Sequence, residues 1–294
     1  MPRLVADAAI ADGRGAFVVM LEGFAERGLD AYPHMVARFS EIERIIKGLR
    51  AHNAMDLVFV GGMRRPMGYG YLRDVGPSVL WRALKNLDLF RSGDSTMLQK
   101  ITSGIEREGF NVLGAHEVAP ELVLPPSNLG AIIPPSACES DITRGFQAAL
   151  GLGALDIGQG VIVAGGRVLA AEAAEGTDMM LGRVAEMRAV ASQSGRQLKP
   201  LGVLVKCPQP IQDIRIDMPA IGPDTIESVA RAGLQGIAIA AQRVLVLDPE
   251  KVRQLADEAG LFVTARALDQ MPVTVGTTQV SIEPGRAPDK RTDD

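Results

Sequence analysis

The sequence predicts an α/β protein of two domains, and three observations support this fold class. Apolar runs at residues 16–20 and 57–60 have the length of strands that are buried on both faces. Amphipathic helical segments alternate with these runs, which is typical of a parallel sheet with crossover helices. The length of 294 residues also fits two domains of about 100–200 residues each.

The first half of the chain contains the elements of one such α/β unit. A third strand is expected at 110–115, after a helix that begins near Asp94. Four prolines between residues 125 and 135 are typical of a linker or an exposed loop, so we place the domain boundary directly after them. The expected units are a first domain over residues 1–136, a second over 137–270 and a tail over 271–294 that is disordered at its end.

The second half has a different pattern of elements. Two apolar runs joined by Gly165 and Gly166 predict a β-hairpin, and residues 236–248 resemble a second one. Helices are expected after Ser140–Asp141, from about Asp178, over 222–233 and from Pro249, and strands over 201–208 and 260–265.

Composition excludes several classes of function. The net charge of −4 and the low aromatic content argue against a nucleic-acid partner. The only two cysteines, Cys138 and Cys207, cannot form a disulfide framework or a cysteine-based zinc site. We see no secretory signal and no apolar run of membrane-spanning length, so we expect a cytoplasmic protein whose contact with the inner membrane, if any, is peripheral.

The first candidate site follows the predicted strand at 57–60. Gly61 and Gly62 allow a ligand close to the backbone, Met63 follows them, and Arg64 and Arg65 supply donors for phosphate. Ligands of open α/β sheets bind beyond the carboxyl ends of strands. The alternative is an ordinary turn with solvated arginines.

The second candidate lies between the hairpin and the following helix. Glu172, Glu175 and Asp178 form a group of carboxylates suited to magnesium, and Thr177 fits a helix N-terminus that can hold an anion. The alternative is a helix cap with acidic residues favoured by the helix dipole.

Three further residues are candidates individually, not as members of a group. Lys206 ends an apolar strand and either reaches solvent or binds a phosphate. Asp217 lies between apolar neighbours in a loop bounded by proline and glycine, where a partly buried carboxylate needs a partner. Glu117, next to His116, follows the third strand on the presumed ligand edge.

Taken together, these segments resemble the LpxI family of UDP-2,3-diacylglucosamine pyrophosphatases over residues 4–267. The similarity is strongest at residues 108–118, 155–163, 172–181 and 202–222. It implies a Rossmann-like N-terminal domain, a distinct α/β C-terminal domain and a site between them. It also implies hydrolysis of UDP-2,3-diacylglucosamine to UMP and the diacylated sugar phosphate lipid X, with Mg²⁺, in lipid A biosynthesis. An oligomer is compatible with the resemblance.

The resemblance also assigns residues. It implies Asp217, Asp178 and Lys206 as catalytic residues and Glu175, Asp178 and Asp217 as metal ligands. The substrate-binding residues that we expect are Gly61, Gly62, Met63, Glu117, Gln159 and Thr177. At Gly62 and Met63 this chain departs from its relatives, which often have Asn and Val, so the contact of that Asn side chain is not transferred.

The family resemblance raises one alternative about the function. Relatives begin with a strand and a Gly-rich turn before the segment that Pro2 to Gly15 matches, so we expect the first strand of the N-terminal sheet to be missing. The alternative function is therefore a non-catalytic or impaired protein that binds a nucleotide sugar or a lipid. A nucleotide-sugar oxidoreductase is disfavoured, because no G-x-G-x-x-G opens a helix.

Overall fold

The structure is a computed structural model, and it describes residues 1–23, 28–38, 41–61, 94–192, 200–210 and 212–270. Its α-helices are α1 (Pro2–Ala11), α2 (Ile42–Ala51), α3 (Asp94–Arg107), α4 (Ala115–Val118), α5 (Glu139–Ala154), α6 (Thr177–Ser192), α7 (Pro223–Arg231) and α8 (Pro249–Ala259). Short 3₁₀ turns lie at Pro120–Leu122, Ser136–Cys138 and Leu268–Gln270.

The strands alternate with these helices, which confirms the α/β class. They are β1 (Val18–Leu21), β2 (His34–Ala37), β3 (Asp56–Val58), β4 (Asn111–Leu113), β5 (Ser127–Leu129), β6 (Gly160–Ala164), β7 (Arg167–Ala171), β8 (Val203–Lys206), β9 (Ala220–Ile221), β10 (Gly236–Ala240), β11 (Leu245–Val246) and β12 (Phe262–Arg266).

The N-terminal elements form small parallel pairs. Strand β1 pairs with β2, and β3 pairs with β4, in both cases parallel. Helix α3 lies between β3 and β4 in the sequence, and parallel pairing of two strands across a helix agrees with an α/β unit. The Rossmann-like arrangement and the missing first strand stay predictions.

A mixed sheet of six strands organises the second half of the chain, in the order β5-β12-β10-β8-β6-β7. Strands β8, β10 and β12 are parallel at its centre, and β5, β6 and β7 pair antiparallel at its sides. Strand β5 comes from the proline-rich segment that we interpreted as a linker or loop. The division of the chain at residue 136 stays a prediction.

The sheet is covered on both faces, and β8 shows how. On one side Val205 meets α5 so closely that a Cβ on Gly145 would lie 2.2 Å from its Cγ2. Successive side chains of a strand point to opposite faces. Lys206 therefore points to the other face, where Met180 and Val184 of α6 belong to the same buried core.

The predicted hairpin is confirmed as β6 and β7, which are joined by Gly165 and Gly166 with positive φ of 57° and 74°. The carboxylate of Asp141 accepts hydrogen bonds from both of these amides, at 2.9 and 2.6 Å. Asp141, which we predicted to cap a helix, lies instead inside the first turn of α5 and holds the hairpin turn.

The predicted second hairpin is wrong. Strand β10 is buried along its whole length and lies between β8 and β12, both parallel to it. The following strand β11 leaves this sheet and pairs in parallel with β9. A run that is apolar on both faces fits a central strand with two neighbours, and its sequence alone does not identify them.

A second, smaller core joins α1 to the C-terminal half. It contains Val5 of α1, Ala115 and Leu122 from the segment after β4, and Leu245 of β11. Because of this packing, the ends of β3 and β4 lie near the loop that precedes β9. Within the described ranges, every helix is too short or too polar to cross a membrane.

Candidate active site

The carboxyl ends of the central parallel strands form the edge of the sheet where the candidate residues meet. Lys206 is the last residue of β8, and it is opposite Gly160 of β6 and Ile239 of β10. Gln159 precedes Gly160, and Glu172 follows β7 and donates its N–H to the Gly160 carbonyl at 2.8 Å. The topology therefore brings Gln159, Glu172 and Lys206 to one place, at the edge where α/β proteins bind ligands.

Lys206 is the buried cation of this edge, with 6% of its surface exposed. Its Nζ donates to Thr177 Oγ1 at 2.8 Å and to the Ala220 carbonyl at 3.1 Å. Thr177, the first residue of α6, donates its hydroxyl to Glu172 Oε1 at 2.9 Å. One partly buried series of hydrogen bonds thus connects β8, α6 and the end of β7.

Burial and neighbouring carboxylates have opposite effects on the pKa of Lys206. Burial lowers the pKa of Lys206 from its usual value, because the charged ammonium loses its hydration. The negative charges of Glu172, Asp178 and Asp217 act in the opposite direction. The catalytic candidates Asp178 and Asp217 therefore both lie within electrostatic range of Lys206.

Glu172 also packs closely against the backbone at Gly158 and Gly160. A Cβ on Gly160 would lie 2.5 Å from Glu172 Oε2, and a Cβ on Gly158 would lie 2.1 Å from the Glu172 carbonyl oxygen. The two glycines are therefore required for the close approach of β6 and the end of β7. Glu172 Oε2 and Gln159 Oε1 are buried and have no hydrogen-bond partner among the described residues.

Asp217 lies in a loop that is anchored from two directions. Its carboxylate accepts a hydrogen bond from the Gln212 side chain, and its N–H donates to the Asp213 carbonyl at 3.1 Å. Arg215 forms ion pairs with Asp213 at 2.7 Å and with Glu106 of α3 at 2.8 Å. The hydrogen bonds from Arg215 lower the pKa of Asp213 below its usual value.

Asp217 also lines a cleft between the two halves of the chain. Arg215 and Met218 line the same cleft on one side, and Phe59, Gly61 and Ala115 line it on the other. Gly61, which we predicted on the nucleotide side, is therefore brought to the candidate catalytic aspartate. Gly62, Met63, Arg64 and Arg65 lie outside the described residues.

Two other predicted residues, Glu175 and Glu117, contact groups close to them in the sequence. Glu175 forms an ion pair with Arg183, a residue in the second turn of α6. The Glu175 carboxylate therefore points towards the Arg183 guanidinium. Glu117 accepts a hydrogen bond from the Gly114 N–H at 2.6 Å and so caps the short helix α4. Their roles as metal ligand and substrate-binding residue stay predictions.

The carboxylates do not form a complete protein cage for a metal. In the part of the chain that the structure describes, no group of three or more His, Cys, Asp or Glu side chains is arranged to hold a metal ion. Asp178 is exposed in the first turn of α6, and Asp217 is half-buried at the cleft. The role of Asp178 and Asp217 as metal ligands stays a prediction.

The sequence did not single out Gln212 and Arg215, and it indicated Glu172 only as one member of a carboxylate group suited to magnesium. All three become evident from contacts with residues that are distant in sequence or that lie across a turn. The spacing Gly158-x-Gly160 was the available signal for Glu172, because a strand interior contains glycine where another backbone approaches closely.

Comparison with known proteins gives a consistent family assignment. The LpxI N-terminal domain model matches residues 1–122, and the LpxI C-terminal domain model matches residues 125–264. A UDP-2,3-diacylglucosamine pyrophosphatase LpxI from Caulobacter vibrioides is 42% identical over 258 residues, which are 86% of this chain and 89% of the relative.

Gly160→Ala tests the packing around Glu172. We expect this substitution to lower the free energy of unfolding by about 1–3 kcal/mol, because the added methyl group would collide with a buried carboxylate. Gly182→Ala is the matched control, since Gly182 lies in α6 with no atom near its Cβ position. There we expect a gain of up to about 1 kcal/mol. Urea unfolding of both variants measures the difference, and equal stability would contradict the placement of Glu172.

Proposed function

Because the chain belongs to the LpxI family, we propose that it hydrolyses the pyrophosphate of UDP-2,3-diacylglucosamine to UMP and 2,3-diacylglucosamine 1-phosphate in lipid A biosynthesis. The observation that carries this proposal is the 42% identity to a UDP-2,3-diacylglucosamine pyrophosphatase across 89% of that relative. The arrangement of Lys206, Thr177, Asp178 and Asp217 at one sheet edge supports it, since cleavage of a pyrophosphate requires charge neutralisation and a positioned water.

The cationic groups of the site are suited to the phosphates. Lys206 offers an ammonium in a dry environment, where a charge acts more strongly than in water. The N-terminus of α6 presents backbone N–H groups beside Thr177 and Asp178, as helix N-termini do for phosphates. We assign Lys206 and this helix end to neutralisation of the pyrophosphate, with Gln159 and the backbone N–H of Thr177 contacting the substrate.

Asp217 is suited to positioning the water molecule that attacks the pyrophosphate. Its carboxylate is half-buried at the cleft, and the hydrogen bond from Gln212 fixes its orientation. A carboxylate held in this way can accept a proton from a water molecule and align that water with the scissile bond. Gly61 lies across the same cleft, so we assign the uridine nucleotide to the side formed by Phe59 and Gly61.

We propose Mg²⁺ as the cofactor, held by Asp178 and Asp217. Magnesium in phosphate-processing sites is typically bound by one or two carboxylates together with phosphate oxygens of the substrate. The two aspartates fit that donor set, whereas Glu175 is engaged by Arg183. When bound, the ion supplies additional positive charge at the phosphates.

The lipid nature of the substrate also bears on where the protein acts. Two acyl chains place UDP-2,3-diacylglucosamine at a membrane surface, so we propose a cytoplasmic protein that contacts the inner membrane peripherally.

Asp217→Asn is expected to slow UMP release by about 100-fold or more, because positioning and electrostatic contributions at a reacting centre are of that size. Asp224→Asn is the matched control, since Asp224 is an exposed carboxylate at the start of α7. Both variants should keep the melting temperature of the parent. Equal UMP release by Asp217→Asn and the parent would remove Asp217 from the mechanism. Substrate binding without turnover in the parent would support the binding-protein alternative.

Removal of divalent cations tests the cofactor proposal separately. We expect EDTA to stop UMP release and added Mg²⁺ to restore it, because the phosphate charge otherwise exceeds what a single lysine offsets. Ca²⁺ serves as the comparison ion, since it prefers more ligands at longer distances than Mg²⁺. Full activity after exhaustive chelation would mean that Lys206 and backbone N–H groups suffice.

A further inference from the structure

We propose that Glu172 is a positioning residue for the reaction, which through the Thr177 hydroxyl directs the Lys206 ammonium towards the substrate phosphate. The inference rests on the proposed function, because it assigns the phosphate as the ligand of Lys206. It concerns a residue that touches neither the cleft nor the reacting atoms.

The direction of the hydrogen-bonded chain follows from the chemistry of a hydroxyl group. A threonine hydroxyl has one hydrogen to donate and lone pairs to accept. Thr177 donates that hydrogen to Glu172 Oε1 at 2.9 Å. Its lone pairs therefore face the Lys206 Nζ, which donates to Thr177 Oγ1 at 2.8 Å. The donor-to-acceptor direction of these hydrogen bonds therefore runs from Lys206 through Thr177 to Glu172.

The same contacts determine where Lys206 points. An ammonium has three N–H groups, and it accepts nothing. One N–H of Lys206 is directed to Thr177 and a second to the Ala220 carbonyl at 3.1 Å. Tetrahedral geometry then fixes the direction of the third N–H. Without Glu172, the Thr177 hydroxyl could rotate and donate elsewhere, and this direction would be lost.

Glu172 is itself held rigidly enough to serve as the fixed end of the chain. Only 6% of its surface is exposed, and its N–H donates to the Gly160 carbonyl at 2.8 Å. Its carboxylate also occupies the space that a side chain at residue 160 would need, so it packs directly against the start of β6. Its negative charge also offsets that of the buried Lys206, and a buried charge without such compensation is strongly unfavourable.

A purely structural role for the hydrogen bonds between Lys206, Thr177 and Glu172 predicts a different result. If Thr177 only filled space, its near-isostere Val would preserve function, and Ser, which lacks the methyl group, would not. If its hydroxyl orients Lys206, the order is reversed. Substitutions at Thr177 therefore separate orientation from packing without removing either buried charge.

The experiment compares UMP release from UDP-2,3-diacylglucosamine by the full chain and by variants at these positions. We expect Thr177→Val and Glu172→Gln to lower kcat by roughly 10–100-fold, by analogy with residues that orient metal ligands through hydrogen bonds. Thr177→Ser should recover most of the rate that Thr177→Val loses. KM should change less than kcat, because orientation of Lys206 matters most in the transition state. Glu186→Gln, an exposed position on α6, is the control for unchanged activity.

A second readout does not depend on turnover. In ¹⁵N-labelled protein, a buried and hydrogen-bonded lysine ammonium gives a protected NH₃⁺ signal, which we expect for Lys206 and which Lys206→Met assigns. Glu172→Gln and Thr177→Val should weaken or shift this signal, and Glu186→Gln should not. An unchanged signal in the first two variants overturns the proposal, as does Thr177→Val with parental kcat. If the parent releases no UMP, the proposed function fails, and the signal alone decides whether Glu172 orients Lys206.

Discussion

The buried ammonium of Lys206 is the interaction on which the described site depends. A cation at the end of a fully apolar strand is unfavourable unless hydrogen bonds and opposite charges surround it. Thr177, Glu172 and the Ala220 carbonyl supply those contacts. These residues come from three different segments, so β7, α6 and the β9 region must all be positioned around the end of β8.

The topology of the sheet explains why these segments meet. Parallel strands at the centre put their carboxyl ends on one edge, and the antiparallel strands β6 and β7 turn Gln159 and Glu172 back towards it. Asp141 fixes the turn between these two strands from α5. The loop of Asp217 is in turn held to α3 by Arg215, which links this candidate catalytic aspartate to the N-terminal half. A network that rigidifies the reacting groups is what positioning chemistry requires.

Sequence reasoning was most accurate where the signal is local. The Gly165–Gly166 hairpin and the start of α8 at Pro249 follow from turn and capping chemistry within a few residues. It was wrong for β10 and β11, because an apolar run does not encode which strands lie beside it. Lys206 and Asp217 were identified as candidates. The contact of Lys206 with Thr177 was not foreseen, since 29 positions separate the two residues and only the folded sheet joins them.

The most direct test of this account is the rate of UMP release in a single turnover by Lys206→Met. Methionine keeps an apolar stem of similar length and removes the charge, so we predict a decrease of roughly 100-fold or more, as for the loss of other groups that stabilise transition-state charge. Lys251→Met, at an exposed position of α8, should react at the parental rate. A folded Lys206→Met protein with the rate of the parent would contradict the claim that the buried lysine is the centre of this site.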